Sequence, residues 1–157
     1  MGALADRARF LFRSEAGTID AATWRRHVAW LAALISVLTA FWLMLRPYAH
    51  HDLATTPFIA PMTIAAFAYL IVYAFAVLVI SISYTMLSMK RLRDRGDPTG
   101  LAALLPFLAF CAGCLHFLQA KTPDVISAWF AYGLDGVLVA VVVWTVFQLG
   151  FAPGRSA

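Results

Sequence analysis

The sequence predicts an all-α fold: a polytopic membrane protein of four transmembrane helices with short loops and a short amphipathic helix at the N-terminus. Three observations predict it. Apolar residues make up 62% of the 157-residue chain and charged residues 13%, about half the charged share of an ordinary soluble domain, and the mean hydropathy is +0.80. Four stretches are long and apolar enough to cross a hydrocarbon core, which takes about 20 residues. Ten of the twelve Lys and Arg residues fall on one side of those stretches. Such a composition excludes a soluble enzyme, a disordered chain and a nucleic-acid-binding domain, since each needs far more polar surface.

In chain order, Ala3 to Arg13 reads as the amphipathic helix. Leu4, Ala8, Leu11 and Phe12 share one face at i, i+4, i+7 and i+8, and Arg7, Arg9 and Arg13 lie mostly elsewhere. This is the pattern of a helix lying on a membrane, with its arginines drawn to anionic headgroups; docking to a partner is the alternative. Asp20 is a candidate cap for the first spanning helix. Span one covers about 28–45. It is longer than a signal-peptide apolar region, and no small-residue cleavage pattern follows Leu45, so it is expected to be retained. His50, His51 and Asp52 read as a solvated outer loop.

The uncharged run Leu53 to Met89 is too long for one span at about 1.5 Å per residue. Two spans would need a turn in its middle, yet no Gly, Pro, Asn or Asp occurs between Met62 and Met89. Pro57 and Pro61 stand at its start. The run therefore predicts one long helix, with the span at about 61–87 and an interfacial lead-in over 53–60. Spans three and four follow at about 101–119 and 128–149. Pro106 should kink span three or mark irregular first turns.

Thr56-Pro57, Asp97-Pro98 and Thr122-Pro123 each read as a capping residue followed by Pro at the first helical position. Trp24, Trp30, Trp42 and Trp129 lie near span ends, where indole favours the interface. Everything between the spans is short, so residues 1–157 read as a single integral membrane domain.

The basic residues set the orientation. Arg7, Arg9, Arg13, Arg25 and Arg26 precede span one, Lys90, Arg91, Arg93 and Arg95 follow span two, and Arg155 lies in the tail; only Arg46 and Lys121 fall on the other side. The positive-inside rule then places both termini in the cytoplasm. The segment Lys90 to Pro98 adds Asp94 and Asp97 to its four cations. It is the candidate cytoplasmic interaction loop, through Lys90, Arg91, Arg93, Asp94, Arg95 and Gly96. Asp94 is expected to pair with Lys90 or Arg91 one helical turn back. As exposed pairs, these would each contribute only a few tenths of a kcal/mol. The loop reads either as an orientation signal touching lipid headgroups or as a specific binding surface.

This stretch also carries a resemblance. Lys90 to Gly96 directly after a long span, leading through Gly100 into another, resembles the signature loop of the bacterial inner-membrane family catalogued as domain of unknown function 805, with matches at Arg91, Leu92, Asp94 and Gly96. Arg93 stands where the family commonly has His. Phe12, Gly17, Ile19 and Trp24 follow part of the family's N-terminal signature, with Thr18 and Ala21 where basic residues are usual. Pro153-Gly154 is similar to its C-terminal segment. The resemblance implies a four-helix, multi-pass protein of the bacterial inner (plasma) membrane with no established chemistry.

Asp135 is the one formally charged residue within a span. About 10 Å below the boundary if span four starts near Ala128, a lone acid costs roughly 2.5–3.5 kcal/mol on insertion scales. It must face the bundle, find a partner or stay protonated. His116, at a comparable depth on span three, is the expected partner, and Thr63 could add a hydrogen bond. Asp135 and His116 are thus the candidate intramembrane polar pair, either a staple between helices or a proton- or ligand-handling site. Gly136 and Ala140 have a spacing that permits close helix approach.

Cys111 and Cys114 form a Cys-x-x-Cys within a span, where an apolar interior disfavours the thiolate that redox chemistry needs. With His116 the string is one residue off the haem-attachment pattern. Packing is the expected role of both. Tyr69, Tyr73, Ser81, Ser83, Tyr84 and Thr85 do not share one face, and read as hydrogen-bonding packing residues rather than a pore lining. No phosphate loop, Ser/His/Asp set, zinc spacing or carboxylate pair occurs, so no catalytic residue, cofactor or metal is expected.

The resulting expectation is a non-enzymatic accessory or structural subunit that associates laterally with a membrane complex or with itself. Its partners would be anionic lipid headgroups at the basic face and another membrane protein or a second copy, with no nucleic acid. A small proton-coupled transporter or ligand-binding permease using Asp135 and His116 is the alternative.

Overall fold

The computed structural model describes residues 2–12, 14, 16–49 and 60–154. Among them the order is α1 (Gly2–Phe12), α2 (Ala21–Leu45), a 3-10 turn (Arg46–Ala49), α3 (Pro61–Arg95), a 3-10 turn (Thr99–Ala103), α4 (Leu104–Lys121) and α5 (Ala128–Gly150), with no strand. Four helical segments, Ala21–Ala49, Pro61–Arg95, Thr99–Lys121 and Ala128–Gly150, are long and apolar enough to cross a membrane. The chain is an all-α, multi-pass membrane protein. His50 to Asp52, the lead-in over 53–59, the Thr56-Pro57 cap, Arg13 and Arg155 lie outside the described residues, as do the side chains of Leu4 and Arg7.

The ends of the helices show what the sequence patterns achieve. Asp20 caps α2: its carboxylate accepts from the Thr23 amide at 3.3 Å, and its carbonyl accepts from the Trp24 amide at 3.1 Å. The Thr23 hydrogen bonds hold the Asp20 carboxyl below the usual carboxylate range. Span three starts irregularly, as Pro106 predicts. A 3-10 turn leads into α4, and Pro106 is its third residue, where no intrahelical amide donor is needed.

Two capping expectations are corrected. Asp97 caps nothing: Pro98 holds the N-cap position without a side-chain bond, and Asp97 instead accepts from Arg95 Nε at 2.7 Å. Thr122 closes α4 by donating to the Leu118 carbonyl at 2.8 Å. Ser127 is the residue that caps α5, through the Trp129 amide.

The segment taken as a loop after span two is also corrected. Lys90 to Arg95 are the last turns of α3, because nothing in them breaks a helix before Gly96. There the backbone enters the left-handed region, at φ 77°. The Gly96 amide donates to the Arg93 carbonyl at 3.0 Å and the Asp97 amide to the Leu92 carbonyl at 2.9 Å. This paired closure requires the positive φ that glycine supplies at no steric cost. At about 1.5 Å per residue α3 is far longer than a ~30 Å hydrocarbon core requires.

The contacts define two compact units, Met1–Arg26 with Ser83–Ala157, and His27–Ile82. In the His27–Ile82 unit, Tyr69 donates to the Leu38 carbonyl at 2.7 Å. The Tyr73 and Thr39 hydroxyls meet at 3.0 Å, and Tyr73 stacks between Trp42 and Tyr69. Tyr69 and Tyr73, one helical turn apart on α3, are hydrogen-bonding packing residues. In the other unit α4 packs on α5, joined by a connection short enough to force an antiparallel hairpin. Large apolar side chains are exposed along the spans, including Trp30, Phe75, Phe110, Trp129 and Phe147. The largest fully buried side chains are Trp24, Arg91, Lys90, Leu87 and Ser88. The best-packed part of the chain is therefore its charged end.

Candidate functional site

That charged end is a clasp built on helix termini. The last carbonyls of an α-helix have no partner within the helix and carry the negative end of its dipole. Three consecutive carbonyls of the last turn of α5 each receive an arginine. Arg95 donates to the Gln148 carbonyl, Arg91 Nε to that of Leu149 at 3.0 Å, and Arg25 to that of Gly150. Arg91 Nη2 also reaches the Ala152 carbonyl at 2.5 Å, and its Nη1 pairs with Asp94. Arg25 lies over the Phe151 ring at 5.2 Å. Gly154 closes against this pair: a Cβ there would meet Arg91 Nη1 at 2.8 Å.

Lys90 does the same for α1. Its ammonium donates to the Phe10 and Leu11 carbonyls and sits 4.5 Å from the centroid of the Phe10 ring. Leu11 is buried beside it, whereas Ala8 of the same amphipathic face is exposed. Arg93 donates to the Gly17 carbonyl at 3.3 Å.

The expectation that these charges form exposed pairs is overturned for Lys90, Arg91 and Asp94. The Arg91 and Asp94 side chains are only 2% and 4% exposed, and Lys90 is fully buried. The i, i+3 pairing of Arg91 with Asp94 is as the spacing predicts, but its acceptors elsewhere are backbone atoms that carry no side-chain signature. Trp24 is corrected too. It is 2% exposed rather than interfacial, and its indole N–H donates to Ser88 Oγ at 3.2 Å. Both residues, and Gly154, are parts of the clasp that the sequence reading missed.

Lys90→Met keeps the aliphatic stem and removes the ammonium, leaving two carbonyls of α1 without their donor. The expected result is a loss of about 1–3 kcal/mol and faster proteolysis of the chain before Asp20. Cleavage at the unaltered rate would show that Lys90 does not hold α1.

The second cluster is the intramembrane pair. His116 Nε2 lies 2.9 Å from Asp135 Oδ2 and 3.1 Å from Oδ1, across the α4–α5 contact. Each residue stands a turn or two from the connected ends of the hairpin, which matches their depths. The pair is not enclosed: its side chains are 48% and 41% exposed. Cys111 is half-buried and Cys114 exposed, both as free thiols. Among the described residues no group of three or more His, Cys, Asp or Glu is placed to hold a metal ion.

Comparison of the chain with protein-family models, with curated proteins and with solved structures finds no match.

Proposed function

We propose that this chain is a non-enzymatic inner-membrane protein that associates laterally with another membrane protein or with itself. Both its termini lie in the cytoplasm, and it belongs with the family it resembles at Arg91, Leu92, Asp94 and Gly96. The observation that carries the reading is the half-exposed His116–Asp135 pair on α4 and α5, where Lys121 at the end of α4 is the one other charged residue. Lipid tails offer neither atom a hydrogen bond, and polar groups at this depth are tolerated when they face protein or water. A neighbouring helix supplies that protein surface. At the cytoplasmic end, the clasp uses five of the seven basic side chains among the described residues, and the other two, exposed Arg9 and Arg26, would meet anionic headgroups.

Asp135→Ala tests this. The folded yield should stay within about twofold, while the amount of protein co-isolated in mild detergent falls about tenfold, the size of one interhelical polar contact. If Asp135→Ala and Asp135→Asn both simply lower the folded yield, the pair is a staple within the chain and the reading fails. Proton uptake by reconstituted vesicles that disappears in Asp135→Asn, with co-isolation unchanged, would favour a permease instead.

A further inference from the structure

We propose that the neighbour at this face is a second copy of the same chain, related by a two-fold axis along the membrane normal that passes beside His116 and Asp135. The inference rests on the lateral association argued above and names its partner. Copies inserted in one orientation can form a closed symmetric dimer only by rotation about the normal. Such a rotation brings every group to the depth of its own counterpart, so a second copy presents a histidine and an acid at the level of this pair.

The pair is self-complementary. His116 uses Nε2 on its own Asp135, which leaves Nδ1 to donate to the partner's Asp135. The same contact in reverse closes a ring of two imidazoliums and two carboxylates with no net charge. In a low-dielectric site a neutral ring of charge-assisted bonds is far better tolerated than one half-exposed pair.

The surface around His116 suits a close approach. Ala109, Gly113, His116 and Ala120 follow one another at spacings of four, three and four, on one face of α4, and all four are exposed. A Cβ at Gly113 would meet nothing within 4 Å. Gly113 also lies in an open apolar groove of ≈ 400 Å³ with Phe110 and Phe117. Small residues beside a polar group are how helices pack tightly in lipid.

Cross-linking with a charge swap tests the contact. In a background with Cys111→Ala and Cys114→Ala, Gly113→Cys should cross-link to its counterpart in native membranes under mild oxidation. Phe107→Cys, on another face of α4, should not. His116→Asp alone and Asp135→His alone each put like groups together, and each should reduce the Gly113→Cys cross-link about tenfold. His116→Asp together with Asp135→His in one chain restores the alternation of acid and histidine when that chain pairs with itself, so its cross-link should return to within about twofold of the unaltered pair. Its cross-link to a differently tagged unaltered chain, which sets acid against acid and histidine against histidine across the axis, should stay about tenfold reduced. Discrimination between the like pair and the mixed pair is a result that a staple within one chain cannot give.

No cross-link at Gly113→Cys, with a different protein co-isolated and lost in Asp135→Ala, would overturn the second-copy inference and leave lateral association standing. No cross-link and no co-isolated protein would overturn both. A doubly swapped chain that does not recover its cross-link with itself, or that cross-links to the unaltered chain as well as to itself, would also overturn the ring.

Discussion

Arg91→Ala is expected to destabilise the folded protein by about 3–5 kcal/mol, the usual cost of removing one partner from a buried ionic contact. The guanidinium donates through all three of its nitrogens, to the carbonyls of Leu149 and Ala152 and to the Asp94 carboxylate. Removing it takes a donor from a buried carboxylate and from two carbonyls at once. Arg91→Lys should recover little, because an ammonium cannot span three acceptors arranged for a planar fork. Removing the acid as well, in Arg91→Met with Asp94→Leu, should recover part of the loss, since the buried charge goes together with the guanidinium that compensated it. Unfolding in a graded detergent mixture, followed by helical circular dichroism, measures all three. An Arg91→Ala protein within 1 kcal/mol of the unaltered one would mean that the clasp does not organise this end of the molecule.

Trp24→Ala should cost a similar amount, about 3–5 kcal/mol, because it empties the volume of the largest buried side chain. Trp24→Phe separates the two contributions. It keeps most of the packing and deprives Ser88 of the indole N–H, which should cost about 1–2 kcal/mol. The order Ala well below Phe is the expected outcome. Equal losses would make the hydrogen bond the whole effect, and no loss in either would return Trp24 to the interfacial role its position near a span end suggests.

These two residues mark where sequence reasoning reached its limit. The spans were legible because hydrocarbon imposes a length and a composition that little else satisfies, and α4 and α5 fall where the apolar runs predict. The His116–Asp135 pair was legible for a related reason. A short connection forces an antiparallel hairpin, so residues at matching distances from it meet. The clasp was not legible. Lys90 to Arg95 read as a loop because four cations in six residues resemble a solvated segment, yet each local choice is compatible with helix until Gly96. Their acceptors are carbonyls of α1 and α5, groups present at every position, so no residue type announces them. Trp24 is fixed by Ser88, 64 residues away. The cap of α5 was placed at Thr122 when Ser127 performs it, since both are good capping residues and only the path of the connection chooses between them.

The same facts revise the meaning of the positive charge. A topology signal and a structural clasp use the same arginines, and the buried ones serve the fold first. The proposed lateral contact falls instead on the half-exposed His116–Asp135 pair of α4 and α5.

The most direct test counts chains in the membrane itself. Native membranes holding a fluorescently tagged copy are excised into polymer-bounded discs without detergent, and each disc is scored by stepwise photobleaching together with identification of any other protein it holds. Discs in which the tagged chain is accompanied are expected for the unaltered sequence, and discs reduced to a single chain in Asp135→Ala. Discs holding one chain and no other protein, in the unaltered sequence, would contradict lateral association.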